Sequence, residues 1–266
     1  MEIFYYSGTG FTLTTMKTFT ALVKEDVRIR PIVQLMKQGE RSSAAETVGL
    51  FLPMHAFGLP RAFREFLKRF SFPRASYIFA LVTRGGAPTK IHREIDRLLR
   101  RKGCRLAAFQ YVTNPNTFDI IFPLKMEQAV IDARNRAEED LQAFAAQVCR
   151  REAGINRGYR NRFHENVTFP LMKWMSRATG YFNLQKDFYA DGNCTGCGQC
   201  EQVCLSGKIH LEDGHPRWNK AVSCQYCLAC LHLCPVQAIQ VRNSKTAERK
   251  RIHHPDVDWR AIAAQK

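Results

Sequence analysis

Residues 193–204 read NCTGCGQCEQVC, and residues 223–235 read SCQYCLACLHLCP. Each stretch contains four cysteines in the spacing C-x2-C-x2-C-x3-C. This is the spacing of proteins that carry two iron-sulfur clusters. Because the two runs take eight of the ten cysteines in the 266-residue chain, metal chemistry accounts for nearly all of its thiols.

The fourth cysteine of each run is not expected to complete the site of its own run. Three thiolates at i, i+3 and i+6 in a tight loop wrap three corners of a cubane, whereas the fourth lies on the following helical turn and points away. We therefore expect two [4Fe-4S] clusters with crossed ligands. One cluster takes Cys194, Cys197, Cys200 and Cys234, and the other takes Cys224, Cys227, Cys230 and Cys204.

Zinc and disulfides are the alternatives for these thiols. Structural zinc closes four ligands locally from paired C-x2-C knuckles, which would leave the third cysteine of each run unused. Disulfide frameworks belong to short secreted chains, and this long chain shows no export leader at Met1. Iron therefore remains the preferred metal, and the two isolated cysteines, Cys104 and Cys149, are interpreted as small apolar residues.

Residues 188–240 resemble a bacterial-type two-cluster ferredoxin. Gly196 and Gly198 lie between ligands, where a loop around a cluster needs backbone without side chains. Pro235 follows Cys234, as in the family motif, whereas Leu205 stands after Cys204 where a proline is usual. The resemblance implies a small α+β domain that transfers electrons.

The rest of the chain is large enough for a second domain. Hydrophobic residues make up 45% of the sequence, enough for a sizeable core. No apolar run reaches the length of a transmembrane segment. We therefore expect a soluble, cytoplasmic protein, because reduced thiols and assembled clusters persist in that compartment.

The first 150 residues alternate between strand and helix patterns. The predicted strands are 3–6, 27–32, 48–52, 77–83 and 106–112, and the predicted helices are 11–24, 61–70, 88–102 and 124–150. Five strands that alternate with helices predict an α/β fold with a parallel sheet covered on both faces. Ligands of such sheets bind beyond the carboxyl ends of the strands, where the strand order reverses.

A turn rich in hydroxyls and glycines follows the first predicted strand. It consists of Ser7, Gly8, Thr9, Gly10, Phe11 and Thr12. A turn between a strand and the N-terminus of a helix offers amide donors and a favourable helix dipole to a phosphate. The nucleotide-binding motifs GxxxxGK[ST] and GxGxxG are both absent. Helix capping is the simpler interpretation of these hydroxyls.

With this turn, the domain resembles the flavodoxin-like fold, in which the same position binds the phosphate of FMN. Two later loops match the family in their order: Pro53, Met54, His55, Ala56, Phe57 and Gly58, and then Thr83, Arg84, Gly85 and Gly86. The resemblance implies that they cover the two faces of the flavin, with Phe57 or His55 stacked on the ring. Phe11 stands where an asparagine is common in relatives.

The whole chain resembles the flavodoxin-ferredoxin fusion family. This implies a flavodoxin-like, five-stranded domain at 1–150, an interdomain packing segment at 151–187, the two-cluster domain at 188–242 and a basic tail at 243–266. The segment at 151–187 is rich in aromatic residues, and its alternative role is that of a helix that docks on a membrane surface or a partner.

The formal net charge of +16 is distributed unevenly. Residues 191–240 hold three basic against four acidic side chains, whereas residues 1–150 hold 23 against 14 and residues 241–266 hold seven against three. We expect this charge to attract an acidic redox partner protein, such as a ferredoxin, flavodoxin or reductase. Nucleic acid is the weaker alternative, because a short basic terminus is usually only solvated.

Three functions remain open. The first is an electron carrier in which FMN and the two clusters form a chain within one polypeptide. The second is a flavin-dependent reductase that acts on a small molecule with electrons from the clusters. The third is a ferredoxin whose first domain is a docking module without flavin. No acid-base pair stands beside the flavin loops, so we name no catalytic residue and rank the carrier first.

Overall fold

The computed structural model describes residues 1–55, 57–87, 89–120, 128–158, 160–178 and 187–266. Ala56 of the second predicted flavin loop lies outside this part of the chain. So do the predicted beginnings of two helices, at Pro88 and at Leu124, and part of the segment predicted to pack between the domains, residues 179–186.

A parallel sheet of six strands forms the centre of the N-terminal part. Its strands are β1 (Glu2–Tyr5), β2 (Arg28–Pro31), β3 (Thr47–Pro53), β4 (Tyr77–Arg84), β5 (Ala108–Thr113) and β6 (Gly154–Asn156), in the order β2-β1-β3-β4-β5-β6. The first five strands have the flavodoxin-like order 2-1-3-4-5, which confirms the α/β, flavodoxin-like fold predicted for this part of the chain.

The predicted count of five strands is wrong by one, because β6 extends the sheet beyond β5. Its register pairs Gly154 with Ala108 and Asn156 with Gln110. The strand has only three residues and lies at the edge, where it needs no apolar run. The sequence GIN therefore gives none of the signals by which a strand is predicted.

Helices cover both faces of the sheet. They are α1 (Phe11–Leu22), α2 (Ile32–Gln38), α3 (Arg61–Arg69), α4 (Ile91–Arg100), α5 (Gln128–Asn135) and α6 (Ala137–Cys149). In α4, Ile91, Ile95, Leu98 and Leu99 recur at helical spacing and are buried. The predicted helix over 124–150 is two helices in its described part, with a break at Arg136.

The segment after β6 packs on the N-terminal part through polar and aromatic contacts. It forms a π-helix (His164–Thr168) that leads into α7 (Phe169–Ala178). The buried Glu165 carboxylate pairs with Arg157 at 3.2 Å and with Arg160 at 3.7 Å. Phe169 stacks on Phe57, with 4.8 Å between ring centroids. Glu165 therefore connects this segment to the residues directly after β6. The Phe169 ring connects it to the loop after β3.

The cysteine-rich module, residues 188–242, consists of two small antiparallel ribbons and two short helices. The ribbons pair β7 (Phe188–Ala190) with β10 (Ile239–Val241) and β8 (Ile209–Glu212) with β9 (His215–Trp218). The helices α8 (Gln199–Gln202) and α9 (Ala229–His232) carry the ends of the two cysteine loops. Val203, Leu205 and Leu233 of this module belong to the same hydrophobic core as the sheet.

The C-terminal residues pack against the molecule, contrary to the expectation of a solvated basic end. The short helix α10 (Trp259–Ala263) begins at Asp258, whose carboxylate accepts a hydrogen bond from the Ala261 amide. Val257 and Ile262 are buried in the main core. The many charged residues of this segment suggested a solvated end, whereas these two apolar side chains anchor it to the core. Within the described residues, no helix is long and apolar enough to cross a membrane.

Candidate functional site

The carboxyl ends of β1, β3 and β4 bring the three predicted flavin loops to one edge of the sheet. The strand order reverses between β1 and β3, and ligands of such sheets bind beside that position. The loop after β1, residues 7–10, is buried throughout. Gly10 at its end has a φ of 92°, a left-handed conformation that suits glycine.

Hydroxyl groups of the first loop bond within the domain. The Ser7 hydroxyl accepts a hydrogen bond from the Leu13 amide at 3.2 Å. The Thr12 and Thr83 hydroxyls bond to each other at 2.7 Å. Ser7 and Thr12 therefore act as helix-capping and loop-bridging groups here, in agreement with the simpler interpretation of the turn.

The C-terminal residues cover the same loop. The side-chain amide of Gln265 pairs with the backbone of Ser7 in both directions, because it accepts from the Ser7 N–H at 2.9 Å and donates to the Ser7 carbonyl at 2.8 Å. The His254 amide donates to the Thr9 carbonyl at 2.9 Å. A Cβ atom on Gly10 would lie 2.8 Å from Cβ of Val257. The loop therefore has no room for a phosphate while residues 254–265 lie against it.

The second predicted flavin loop contacts the second cysteine run. Nδ1 of His55 lies 3.0 Å from the Gln225 carbonyl, and the Gln225 side chain accepts from the Ala62 amide at 2.8 Å. Burial lowers the pKa of His55 to about 4, so the ring is neutral at pH 7. His55 and Gly58 close a tight turn, and Phe57 adopts a φ of 63° and stacks on Phe169.

Two neighbours of that loop are also engaged. Pro53 is the last residue of β3. The Met54 amide donates to the Thr83 carbonyl at 2.8 Å, and the Met54 sulfur accepts from the Thr89 hydroxyl at 3.3 Å. These contacts link the loop after β3 to β4 and to the chain just before α4.

The third predicted flavin loop turns inward. The Arg84 guanidinium is buried, lies 4.0 Å from the centre of the Tyr111 ring, and donates to the Arg157 carbonyl at 3.2 Å. A Cβ atom on Gly85 would lie 2.7 Å from Cβ of Asn116. Gly86 has a φ of 117°, which only glycine adopts readily.

An open pocket of about 400 Å³ lies beside these loops. Phe57, Phe169 and Pro170 form its apolar part, and Lys90, Arg93 and Arg97 make its polar side basic. Glu94 and Glu165 also line it. Because it lies between the loop after β3 and the helix α4, it differs in position from the covered loop after β1.

The cysteines of the first run meet one cysteine of the second. A single cavity is lined by Cys194, Cys197, Cys200 and Cys234. Burial raises the pKa of Cys200 to about 12, and the nearby thiols of Cys234, Cys194 and Cys197 add to this effect. This is the set that the spacing predicts for one cluster.

The reciprocal set also forms a group. Burial, followed by the thiol of Cys204, raises the pKa of Cys230 well above its usual value. Burial raises the pKa of Cys224 to about 12 and that of Cys227 to about 11, and Cys204 is again among the neighbours that add to it. Because their pKa values are raised, these thiols are protonated at neutral pH. Metal binding must therefore release their protons.

Backbone amides already point at two of these sulfurs. The Tyr226 amide donates to the sulfur of Cys224 at 3.3 Å, and the Ala238 amide donates to that of Cys234 at 3.3 Å. Amide donors of this kind stabilise cluster thiolates. A Cβ atom on Gly196 would lie 2.5 Å from the Gly214 carbonyl oxygen, which explains the glycine in this loop. The donor set and the loops therefore fit two [4Fe-4S] clusters.

Within the described ranges, no three His, Cys, Asp or Glu side chains converge on the position of a single metal ion. A cubane does not need such convergence, because each thiolate binds a different iron at a separate corner. The cysteines of the chain are also free of disulfides. Both cluster assignments stay predictions at this point.

Three residues around the second run gave no signal in the sequence. Tyr6 follows β1 and is fully buried beside the thiol of Cys227. Lys208 is buried near Cys224, and its ammonium donates to the carbonyls of Asn219 and Val222 at 2.6 and 2.7 Å. The Gln265 side chain pairs with the backbone of Ser7 in the loop after β1. The partners of Tyr6 and Gln265 lie near the opposite end of the chain, and those of Lys208 lie 11 and 14 residues away, so only the folded chain reveals them.

Comparisons with known proteins add little to this geometry. No protein-family model matches the chain, and no curated protein does. Among solved structures, an FMN-dependent NADH-azoreductase from Bacillus anthracis str. Ames Ancestor, in complex with FMN, aligns with a TM-score of 0.37 and 11% identity, over 56% of this chain and 98% of that chain. The flavodoxin-like fold is instead defined by the strand order of the sheet.

Proposed function

We propose that the protein transfers electrons through two [4Fe-4S] clusters, the second of which lies against the strand ends of the flavodoxin-like domain. The observation that carries this proposal is the crossed grouping of the cysteines, with Cys234 among the first run and Cys204 among the second. When bound, such clusters supply one-electron transfer steps. The chain's part is to hold the thiolates, donate amides to them and limit access of water.

The two sets would not be equivalent in this role. Cys197 is exposed, whereas Cys227 and Cys230 pack against the main core. A partner protein can therefore approach the first set directly. The second set is positioned to pass electrons towards whatever the N-terminal domain binds.

Iron and acid-labile sulfide analysis tests this proposal. Protein prepared without oxygen should contain four irons and four sulfides for each of two clusters, and its visible absorption should bleach on addition of dithionite. Electron paramagnetic resonance of the reduced protein should show two interacting centres. A colourless protein that binds zinc in stoichiometric amounts would contradict the proposal.

A flavin is the second candidate, either as a member of the electron chain or as the redox group of a reductase. The pocket beside Phe57 and Phe169 supports it, because apolar rings suit a flat ligand and Arg93 and Arg97 suit its phosphate. The loop over residues 7–12 does not fit FMN phosphate as folded, because residues 254–265 cover it.

Flavin fluorescence titrations distinguish these cases. If the pocket binds the flavin, FMN should bind more tightly than riboflavin, and Arg93→Gln with Arg97→Gln should remove that difference. If binding appears only after deletion of residues 254–266, the loop over residues 7–12 is the site. Absence of flavin binding in both proteins would leave the third function, a docking domain without flavin.

The excess of basic residues supports an acidic redox protein as the partner. Arg249, Lys250 and Arg251 line one surface groove together with Gln237, which lies three residues after the ligand Cys234. Such a surface attracts an acidic carrier close to the exposed first set of cysteines.

A further inference from the structure

The hydroxyl of Tyr6 is buried and has no hydrogen-bond partner of normal geometry in the part of the chain that the structure describes. The residue follows β1, and its amide donates to the Phe51 carbonyl at 3.1 Å, which fixes the backbone. A buried hydroxyl without a partner is costly, so a fully buried tyrosine normally bonds through its oxygen. The Tyr6 hydroxyl therefore requires an acceptor close to it.

The hydroxyl faces the second set of cysteines. It contacts the side chain of Cys227 outside normal hydrogen-bond geometry, and Cys224 and Cys204 lie near it. All three are predicted ligands of the same cluster. Once Cys227 is a thiolate, its sulfur becomes a much better hydrogen-bond acceptor than a thiol.

Two close approaches bring the second cysteine loop against the loops after β1 and β3. A Cβ atom on Gly8 would lie 2.6 Å from Cβ of Cys227 and 2.7 Å from its carbonyl oxygen, so the glycine permits a close approach of the two chains. The ring of His55 lies edge-on to the Tyr6 ring at 5.9 Å and contacts the Gln225 carbonyl. The end of β1 and the second cysteine loop are thus fixed relative to each other.

We propose that Tyr6 donates its O–H to the Cys227 thiolate of the second cluster and thereby raises the reduction potential of that cluster alone. This inference rests on the proposed function. A donor to a ligand sulfur withdraws negative charge and favours the reduced cluster, whose charge is more negative. By this contact, the flavodoxin-like domain would set the potential of a cluster held by the other module.

Tyr6→Phe is the direct test, because it removes one oxygen and keeps the ring. In the protein with both clusters, we expect the equilibrium constant for reduction of one cluster to fall by up to about tenfold, which is about 59 mV for a one-electron couple. The potential of the other cluster should not change. Redox titration followed by electron paramagnetic resonance measures both values.

Tyr77→Phe is the matched control. Tyr77 is also a buried tyrosine of the sheet, but its hydroxyl donates to the Glu152 carbonyl at 2.9 Å, away from the cysteines. Tyr77→Phe should leave the reduction potentials of both clusters unchanged. A second readout is electron–nuclear double resonance, in which an exchangeable proton coupled to the second cluster should be lost in Tyr6→Phe.

The outcomes separate this inference from the proposed function. If iron analysis finds no clusters in the unaltered protein, the proposed function fails. If Tyr6→Phe carries both clusters with unaltered potentials, or shifts both equally, the inference on Tyr6 is wrong and the function stands. Should Tyr6→Phe lose its clusters, fluorotyrosine at position 6 replaces it, because its more acidic hydroxyl is a stronger donor. It should raise the potential of the second cluster, and no change would overturn the inference.

Discussion

The two cysteine runs have the same spacing but different surroundings. The loop over Cys194–Cys200 packs on the hairpin β8–β9, where Gly196 approaches the Gly214 carbonyl, and Cys197 is exposed. The loop over Cys224–Cys230 packs on the end of β1, where Gly8 approaches Cys227. The spacing therefore predicts which atoms could bind iron, whereas the neighbouring residues would decide how accessible each proposed cluster is and what tunes its potential.

Removing a shared ligand should have the largest effect on this comparison. Cys234 is the last cysteine of the second run, but it lines the cavity formed by the first run. The variant is Cys234→Ala. We expect loss of the first cluster and retention of the second, measured by iron content and electron paramagnetic resonance. The exposed Cys149 supplies the control, Cys149→Ala, which should keep both clusters. Loss of the second cluster alone would show that each run closes its own site.

Adding a methyl group at Gly8 should damage the second cluster rather than the first. In Gly8→Ala, the new Cβ would lie 2.6 Å from Cβ of Cys227, so the second loop must move. We expect overpacking to destabilise the protein by about 1–3 kcal/mol and to lower occupancy of the second cluster first. Denaturant unfolding and iron content measure the two effects.

Gly192→Ala is the control on the side of the first run, because nothing lies within 4 Å of its added Cβ. It should change neither stability nor iron content. Equal damage by both variants would mean that the close approach at Gly8 has no special importance.

The sequence predicted the sheet because its strands are long apolar runs, such as Thr47–Pro53 and Tyr77–Arg84. The spacing within each cysteine run is local and can be read from the sequence, but the assignment of the eight cysteines to two clusters stays a prediction. The sequence could not predict that Gln265 would pair with Ser7, because the two lie 258 residues apart and glutamine has no preference for such a role. The same holds for Tyr6 and Cys227, and for the edge strand β6.

Removing the Gln265 side chain should have an intermediate effect. Gln265→Ala leaves the buried N–H and C=O groups of Ser7 without partners, so we expect a loss of about 1–3 kcal/mol in unfolding free energy. The second cluster, next to this loop, should become more accessible to chelators than the first. Gln202→Ala, at a surface position, serves as the control. An unaltered unfolding midpoint would show that the C-terminal residues do not hold the loop.

The smallest effect should come from the basic surface beside the first set. Arg249→Gln with Lys250→Gln removes two charges near Gln237 and keeps Arg251, whose guanidinium donates to the Gln237 and Ile239 carbonyls at 2.8 and 3.0 Å. We expect electron exchange with an acidic carrier to slow about two- to tenfold at low salt and to be unaffected at high salt, because exposed charges are screened within about 8–10 Å at physiological ionic strength. Stopped-flow absorption measures the rate.

Lys17→Gln with Lys24→Gln, at exposed positions in α1 and just after it, is the matched loss of two charges. It should have little effect, because steering depends on charge near the docking site rather than on net charge. If electron exchange slows equally in both variants, the total charge governs the encounter. The first set of cysteines then has no dedicated docking surface. If the rate is indifferent to salt in every variant, an acidic partner is wrong, and salt-sensitive binding of duplex DNA by the same surface would favour the nucleic-acid alternative.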